Sequence, residues 1–177
     1  MVNVCLAKNI NIHQGDLEAA SFPDDYFDII SSFEVIEHIN NPKVEISIFN
    51  KILRKGGLVY LTTPNFNSLL RYKLKSTYNV ITFPEHLCYY TPSTINKIFT
   101  SFGFKKLKIE TTGLSLTRFK TSSGRSDQKF VSEKSDDEKI RIQIDTKWYL
   151  QFSKTIINAL LSTFGVGDSL KAWFIKK

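Results

Sequence analysis

Apolar and polar positions follow two different periods along this chain, and the changes of period mark its elements. Phe27-Asp28-Ile29-Ile30-Ser31-Ser32-Phe33 is a mainly apolar run ending near two serines, which predicts a buried strand reaching the edge of a sheet. Asn41-Pro42 then offers an N-cap and a first-turn proline for a helix over 42–54, with Val44, Ile48, Phe49, Ile52 and Leu53 as its apolar stripe. Gly56-Gly57 is expected to end that helix in a left-handed cap, and Leu58 to Thr63 reads as the next strand. A strand, a helical crossover and a second strand argue for parallel pairing.

The same reading extends to both ends. Met1 to Asn9 resembles the tail of a helix, and Ile10-Asn11-Ile12-His13-Gln14 alternates as a short strand up to Gly15-Asp16. Thr91-Pro92 opens a helix over 92–102 whose core residues are Ile95, Ile98, Phe99 and Phe102, stopped by Gly103. Phe104 to Thr111 alternates, placing Phe104, Leu107 and Ile109 on the core side. Residues 64–84 are less regular: a short helix and loop that could form a lid over a substrate, or a plain surface connection. At about 117–140 the chain turns polar and charged, and is expected to be an exposed, mobile insertion. Asp145 to Phe164 returns to helical period through Trp148, Phe152, Ile156, Leu160 and Phe164, where core packing is the default reading. A terminal strand follows Gly167-Asp168. Strands near 10–15, 27–33, 58–63, 104–111 and 169–176 make half of a doubly wound α/β sheet, in one domain spanning 1–177.

Composition narrows the class more than the fold. The chain has 177 residues, a hydrophobic share of 42% and 14 phenylalanines, which suits one globular domain. It has no run of about 18 apolar residues, and no basic start with a long apolar stretch, so neither a transmembrane segment nor a signal peptide is expected. Cys5 and Cys88 form no framework, and the chain reads as cytoplasmic with free thiols. The net charge of +7 is spread among acids rather than gathered with aromatics, which argues against a nucleic-acid partner.

The candidate chemistry begins where the strand at 27–33 ends. Glu34, Glu37 and His38 stand at i, i+3 and i+4, so they share one face if the backbone turns helical after Ser32. The C-terminal ends of strands are where open α/β sheets bind ligands. A solvated first helical turn explains the same spacing. Gly15-Asp16 alone reads equally as a turn, Phe33 as a core aromatic, His86 as a structural histidine, and His13 has no assigned role.

In order, these motifs resemble class I S-adenosylmethionine-dependent methyltransferases, and most closely the branch of the ubiquinone-biosynthesis O-methyltransferases. The resemblance rests on Glu34-x-x-Glu37-His38 after the strand, Gly15-Asp16 before it, Leu53-Arg54-Lys55-Gly56-Gly57, Thr62-Thr63-Pro64-Asn65 and Glu85-His86-Leu87. It covers residues 10–113 well and the C-terminal strand plausibly. It implies a Rossmann-like sheet, mostly parallel, with an antiparallel C-terminal strand. It implies S-adenosylmethionine as cofactor, Asp16 and Leu17 at its adenine, and Phe33 beside its methionine and sulfonium. His38 would be the general base. Alternatively Glu34, Glu37 and His38, joined by His86 as in the related small-RNA 2′-O-methyltransferases, would bind a divalent metal such as Mg²⁺.

One family feature is missing. No Gly-x-Gly precedes residue 30, and the Gly165-Val166-Gly167 instance lies far from the expected place. The expectation is therefore an N-terminally truncated domain that binds S-adenosylmethionine weakly or not at all, with exposed sheet edges open to self-association. Three functions fit: O-methylation of a small-molecule, lipid or sugar hydroxyl; an RNA 2′-O-methyltransferase; or a non-catalytic remnant serving as an interaction module.

Overall fold

A computed structural model describes residues 2–78, 80–115 and 148–177. The elements in chain order are α1 Val2–Ala7, β1 Phe27–Phe33, α2 Pro42–Ile52, β2 Leu53–Pro64, α3 Leu69–Leu74, α4 Pro92–Ser101, β3 Phe104–Thr112, α5 Trp148–Phe164 and β4 Ser169–Lys176. Single 3-10 turns occupy Ile36–His38 and Lys75–Thr77.

The four strands lie in the order β1-β2-β4-β3. β1 pairs parallel to β2, with Ile30 opposite Val59 and Phe33 opposite Thr62. β4 runs antiparallel between β2 and β3, so that Ala172 faces Leu61 on one side and Ile109 on the other. β1, β2 and β3 thus share a direction and the C-terminal strand opposes them, the α/β arrangement expected from the motifs.

One face of the sheet carries the core. Val59 and Leu61 of β2 and Leu170, Ala172 and Phe174 of β4 are buried beneath Ile46 and Phe49 of α2 and Ile95 and Phe99 of α4. The Phe99 ring stacks on Phe174 at 4.4 Å and meets Phe104 edge-on at 5.5 Å. α4 is held at its start by a capping box in which the Thr91 and Thr94 hydroxyls satisfy each other's backbone N–H groups. On the opposite face Phe33, Tyr60 and Trp173 form a row, at centroid spacings of 5.5 and 4.7 Å.

Several expectations from the sequence are corrected. Residues 10–15 form no strand; they are exposed and find no strand to pair with among the described residues, and an isolated strand is not stable in water. β1 is not buried but an edge strand, with Ile29 59% and Phe33 58% exposed. α2 ends at Ile52, and Gly56-Gly57 lies inside β2, where Gly56 at φ +75° sits in the irregularity between the Phe27–Leu53 and Ile29–Leu58 pairs. The buried face of α2 is Ile46, Phe49 and Ile52, while Val44 is exposed. Leu107 is exposed because the β3–β4 register slips between Lys106 and Lys108. On α5, Phe152, Ile156, Leu160 and Phe164 are exposed rather than packed in the core, while Leu161 is buried. The polar insertion expected at about 117–140 lies outside the described residues. Among the described residues no helix is long and apolar enough to cross a membrane.

Candidate functional site

The site begins with a sharp turn. Glu34, directly after β1, takes a left-handed conformation at φ +52°, while its N–H still donates to the Thr62 carbonyl across the sheet at 3.0 Å. A left-handed residue cannot continue into a right-handed helix, so the chain breaks direction before the 3-10 turn at Ile36–His38. The expectation that Glu34, Glu37 and His38 share a helical face is therefore corrected. The three groups whose ligand atoms converge within 4.8 Å of one another are Glu37, His38 and His86.

Each member is fixed differently. Ile36, buried in the core, draws the turn inward, and Glu37 follows at 2% exposure. The Thr63 hydroxyl donates to Glu37 Oε2 at 2.8 Å, while Oε1 is buried with no hydrogen-bond partner. The Glu37 carbonyl accepts from the Leu87 and Cys88 N–H groups at 2.8 and 3.0 Å, which locks the 85–90 loop against the turn. That loop delivers His86, whose ring lies 4.8 Å from the His38 ring.

The two histidines share one tautomer. His38 Nδ1 contacts the Glu85 carbonyl at 2.6 Å, and His86 Nδ1 contacts the Val80 carbonyl at 2.7 Å. A carbonyl only accepts, so Nδ1 carries the proton in both neutral rings and each Nε2 keeps a free lone pair. His38 Nε2 stands 3.9 Å from the orphaned Glu37 Oε1. Imidazoles that donate one N–H to a carbonyl and present the other nitrogen, beside a desolvated carboxylate oxygen, match the donor set of a divalent cation. The residues present fit such an ion.

Tyr90 borders this end of the sheet. Its hydroxyl is buried without a partner, and burial first, then Cys88 and Glu37, push its pKa far above the usual phenol range. It remains neutral and keeps its proton.

The cofactor residues expected from the sequence are less complete. Asp16 is exposed, and its Oδ1 caps the following turn by accepting from the Ala19 N–H at 2.8 Å; Leu17 packs at the margin of the core. Phe33 is exposed on the sheet face away from the core and lies edge-on to Tyr60. Among the described residues no glycine-rich loop joins Asp16, Leu17 and Phe33.

Sequence reasoning quoted Thr63 inside a motif without assigning it a task. Thr63 could have been found: a buried hydroxyl at a strand end, level with Glu37 in the turn after the neighbouring strand, has few other partners. Tyr90 left no comparable signal.

The comparisons agree with this architecture. The family described as methyltransferase domain matches residues 1–109. The mitochondrial ubiquinone biosynthesis O-methyltransferase of Dictyostelium discoideum is 45% identical over 42 residues, covering 24% of this chain and 13% of that protein. A probable S-adenosylmethionine-dependent methyltransferase of Mycolicibacterium smegmatis is 34% identical over 56 residues, covering 32% of this chain and 22% of that protein. The matched stretches thus span less than a quarter of either curated relative. Among solved structures, a SAM-dependent methyltransferase from Archaeoglobus fulgidus aligns over 99% of this chain and 72% of its own, with a TM-score of 0.57 and 20% identity. A Thermotoga maritima methyltransferase, described as a possible histamine N-methyltransferase, aligns over 100% and 69% with a TM-score of 0.63 and 14% identity.

Proposed function

The chain belongs to the methyltransferase-domain family, and from that premise we propose that it serves S-adenosylmethionine-dependent methylation of a hydroxyl on a small-molecule, lipid or sugar acceptor. The observation that carries this reading is the buried Glu37 Oε1, left without a partner beside His38 and His86 at the end of β1. A carboxylate oxygen desolvated without compensation is costly in a folded protein, and its retention at the ligand-binding end of the sheet fits a functional purpose.

Bound S-adenosylmethionine would supply an electrophilic methyl group. The chemistry it would supply is transfer of that methyl to the acceptor oxygen, with the electrons of the carbon–sulfur bond left on sulfur. The acceptor's proton must leave. His38 would take it at Nε2, since Nδ1–H is engaged by the Glu85 carbonyl, which holds the ring in orientation. Glu37, close to that nitrogen, favours the imidazolium so formed. Asp16 and Leu17 would meet the adenine and Phe33 the sulfonium side. In the alternative use of the same residues, Glu37, His38 and His86 would hold a divalent ion such as Mg²⁺, which would lower the hydroxyl pKa.

A second reading is favoured by His86. It stands beside Glu37 and His38, comparable to the downstream histidine that the resemblance to the small-RNA 2′-O-methyltransferases implies, and the acceptor would then be a ribose hydroxyl. Binding to RNA would weaken steeply with salt.

The deciding experiment measures methyl transfer to a catechol and to a short RNA with S-adenosylmethionine and Mg²⁺ present. His38→Ala should lower turnover on the true acceptor by about 10²–10⁴-fold with little change in cofactor affinity. Chelator resistance in the wild type with a dead His38 variant supports the base; chelator silencing supports the ion. Absence of both transfer and calorimetric S-adenosylmethionine binding would leave the interaction-module reading. For that module, and for self-association generally, the partner is a second copy pairing at the open edge of β1.

A further inference from the structure

Helix α3 carries a cation whose arrangement the chemistry above does not use. The Arg71 guanidinium lies 4.4 Å from the Phe66 ring centroid and 4.3 Å from that of Tyr72. Both rings are anchored. Tyr72 donates its hydroxyl to Asn67 Oδ1 at 2.7 Å, and the Phe66 N–H donates to the Tyr90 carbonyl at 2.7 Å. Arg71 has no carboxylate partner among the described residues, and its Nε is buried without a hydrogen bond. A guanidinium held over aromatic rings keeps its in-plane N–H groups for an anion, and their fork matches two oxygens at once. Lys75, one turn further, is exposed and also lacks an acidic partner among the described residues.

Arg71 is connected to the Glu37–His38–His86 cluster by a continuous row of rings. From His38 the row passes to His86 at 4.8 Å, to Tyr89 at 6.5 Å and to Phe66 at 5.2 Å, and the guanidinium lies beyond. His86, Tyr89 and Phe66 are each half-buried and so keep a surface open to a ligand. We propose that Arg71 is the specificity-determining residue for the acceptor, binding a phosphate carried on a small molecule whose apolar or aromatic body lies along Phe66 and Tyr89. Phosphate is favoured over a monoanion because a second exposed cation, Lys75, follows four residues on. The inference rests on the reading of the histidine cluster as the acceptor end, but it is tested without methyl transfer.

The probes are phenyl phosphate, phenol and inorganic phosphate, with binding to the whole chain followed by ligand-observed NMR. Wild type should bind phenyl phosphate about tenfold or more tightly than either phenol or inorganic phosphate, since charge and ring contacts act together. Arg71→Met, which keeps length and loses charge, should bring phenyl phosphate down to the level of phenol while phenol binding itself stays unchanged. Arg71→Lys should keep part of the preference. Equal binding of phenyl phosphate and phenol by wild type, or a preference that survives in Arg71→Met, overturns the assignment. Inorganic phosphate binding as tightly as phenyl phosphate overturns it as well, because the ring row then contributes nothing. If Arg71→Met does not fold, Arg71→Lys alone decides: an undiminished preference for phenyl phosphate over phenol would remove the need for the fork and overturn the assignment. A phosphate preference retained in a His38→Ala chain that also keeps full turnover would support Arg71 and defeat only the catalytic reading.

Discussion

The Thr63 hydroxyl donates to Glu37 Oε2, and this one contact decides which oxygen of the buried carboxylate is left open. With Oε2 engaged, Oε1 is the atom that meets His38 Nε2. Thr63 belongs to β2 and Glu37 to the turn after β1, so parallel pairing of the two strands brings donor and acceptor level.

Thr63→Val removes that donor at nearly constant volume. If the cluster binds a divalent ion, affinity for Mn²⁺ should fall by about 10–100-fold, the usual effect of losing a group that orients a metal ligand. Glu37→Gln should abolish the binding. Electron paramagnetic resonance titration checks both, and unchanged Mn²⁺ affinity in Thr63→Val would mean that the contact serves folding alone.

Phe99→Ala should destabilise the fold by about 3–5 kcal/mol, since the ring is fully buried between Phe174 and Phe104. Phe164→Ala on the exposed face of α5 should change stability by no more than about 0.5 kcal/mol. Urea unfolding of the two variants measures the contrast. A large loss at Phe164 would show that its side chain is covered in solution.

Burial, and after it the Asp16 carboxylate, hold the Glu45 carboxyl above its ordinary value of 4.5. The folded state therefore favours the protonated acid. The stability this gives is complete below pH 4.5 and is lost as pH rises through the raised value. Glu45→Gln should accordingly raise the urea midpoint at neutral pH, with the gain closing as pH falls below 4.5. A gain that is constant with pH would assign the effect to something other than charge.

Ile29→Lys places a charge on the open edge strand, a device that blocks strand addition. Sedimentation velocity should show the wild type associating as concentration rises, and the variant remaining monomeric with unchanged circular dichroism. A wild type that stays monomeric at high concentration removes the proposed self-association.

The fold was largely legible because apolar period and turn residues agreed. Thr91-Pro92 and Gly103 bracket α4, and the alternation in β2 and β4 records a sheet with one buried face. What the pattern could not carry was pairing. Ile10 and Ile12 alternate as a strand would, yet alternation does not supply a neighbour. Phe152, Ile156, Leu160 and Phe164 keep helical period whether or not anything covers them. At the site, spacing put Glu34, Glu37 and His38 on one helical face, which the turn after β1 does not form. It misplaced Glu34, because a left-handed residue is invisible to a count of three and four. His86 joined them through backbone bonds from the Glu37 carbonyl, a long-range relation that no local pattern encodes.

The insertion of β4 between β2 and β3 has a consequence for the order of assembly on the ribosome. Until residues 169–176 have been synthesised and cleared the exit tunnel, β3 has no strand beside it, and the β1–β2 pair ends in an open edge. Phe174, which stacks on Phe99, arrives with that same segment, so the core under α4 cannot close earlier. The sheet must therefore be completed after translation of its middle, by a late strand entering a slot between two waiting ones. Long-range closure of this kind is slow, and during the delay the nascent chain presents two unpaired edges to whatever holds or competes for it.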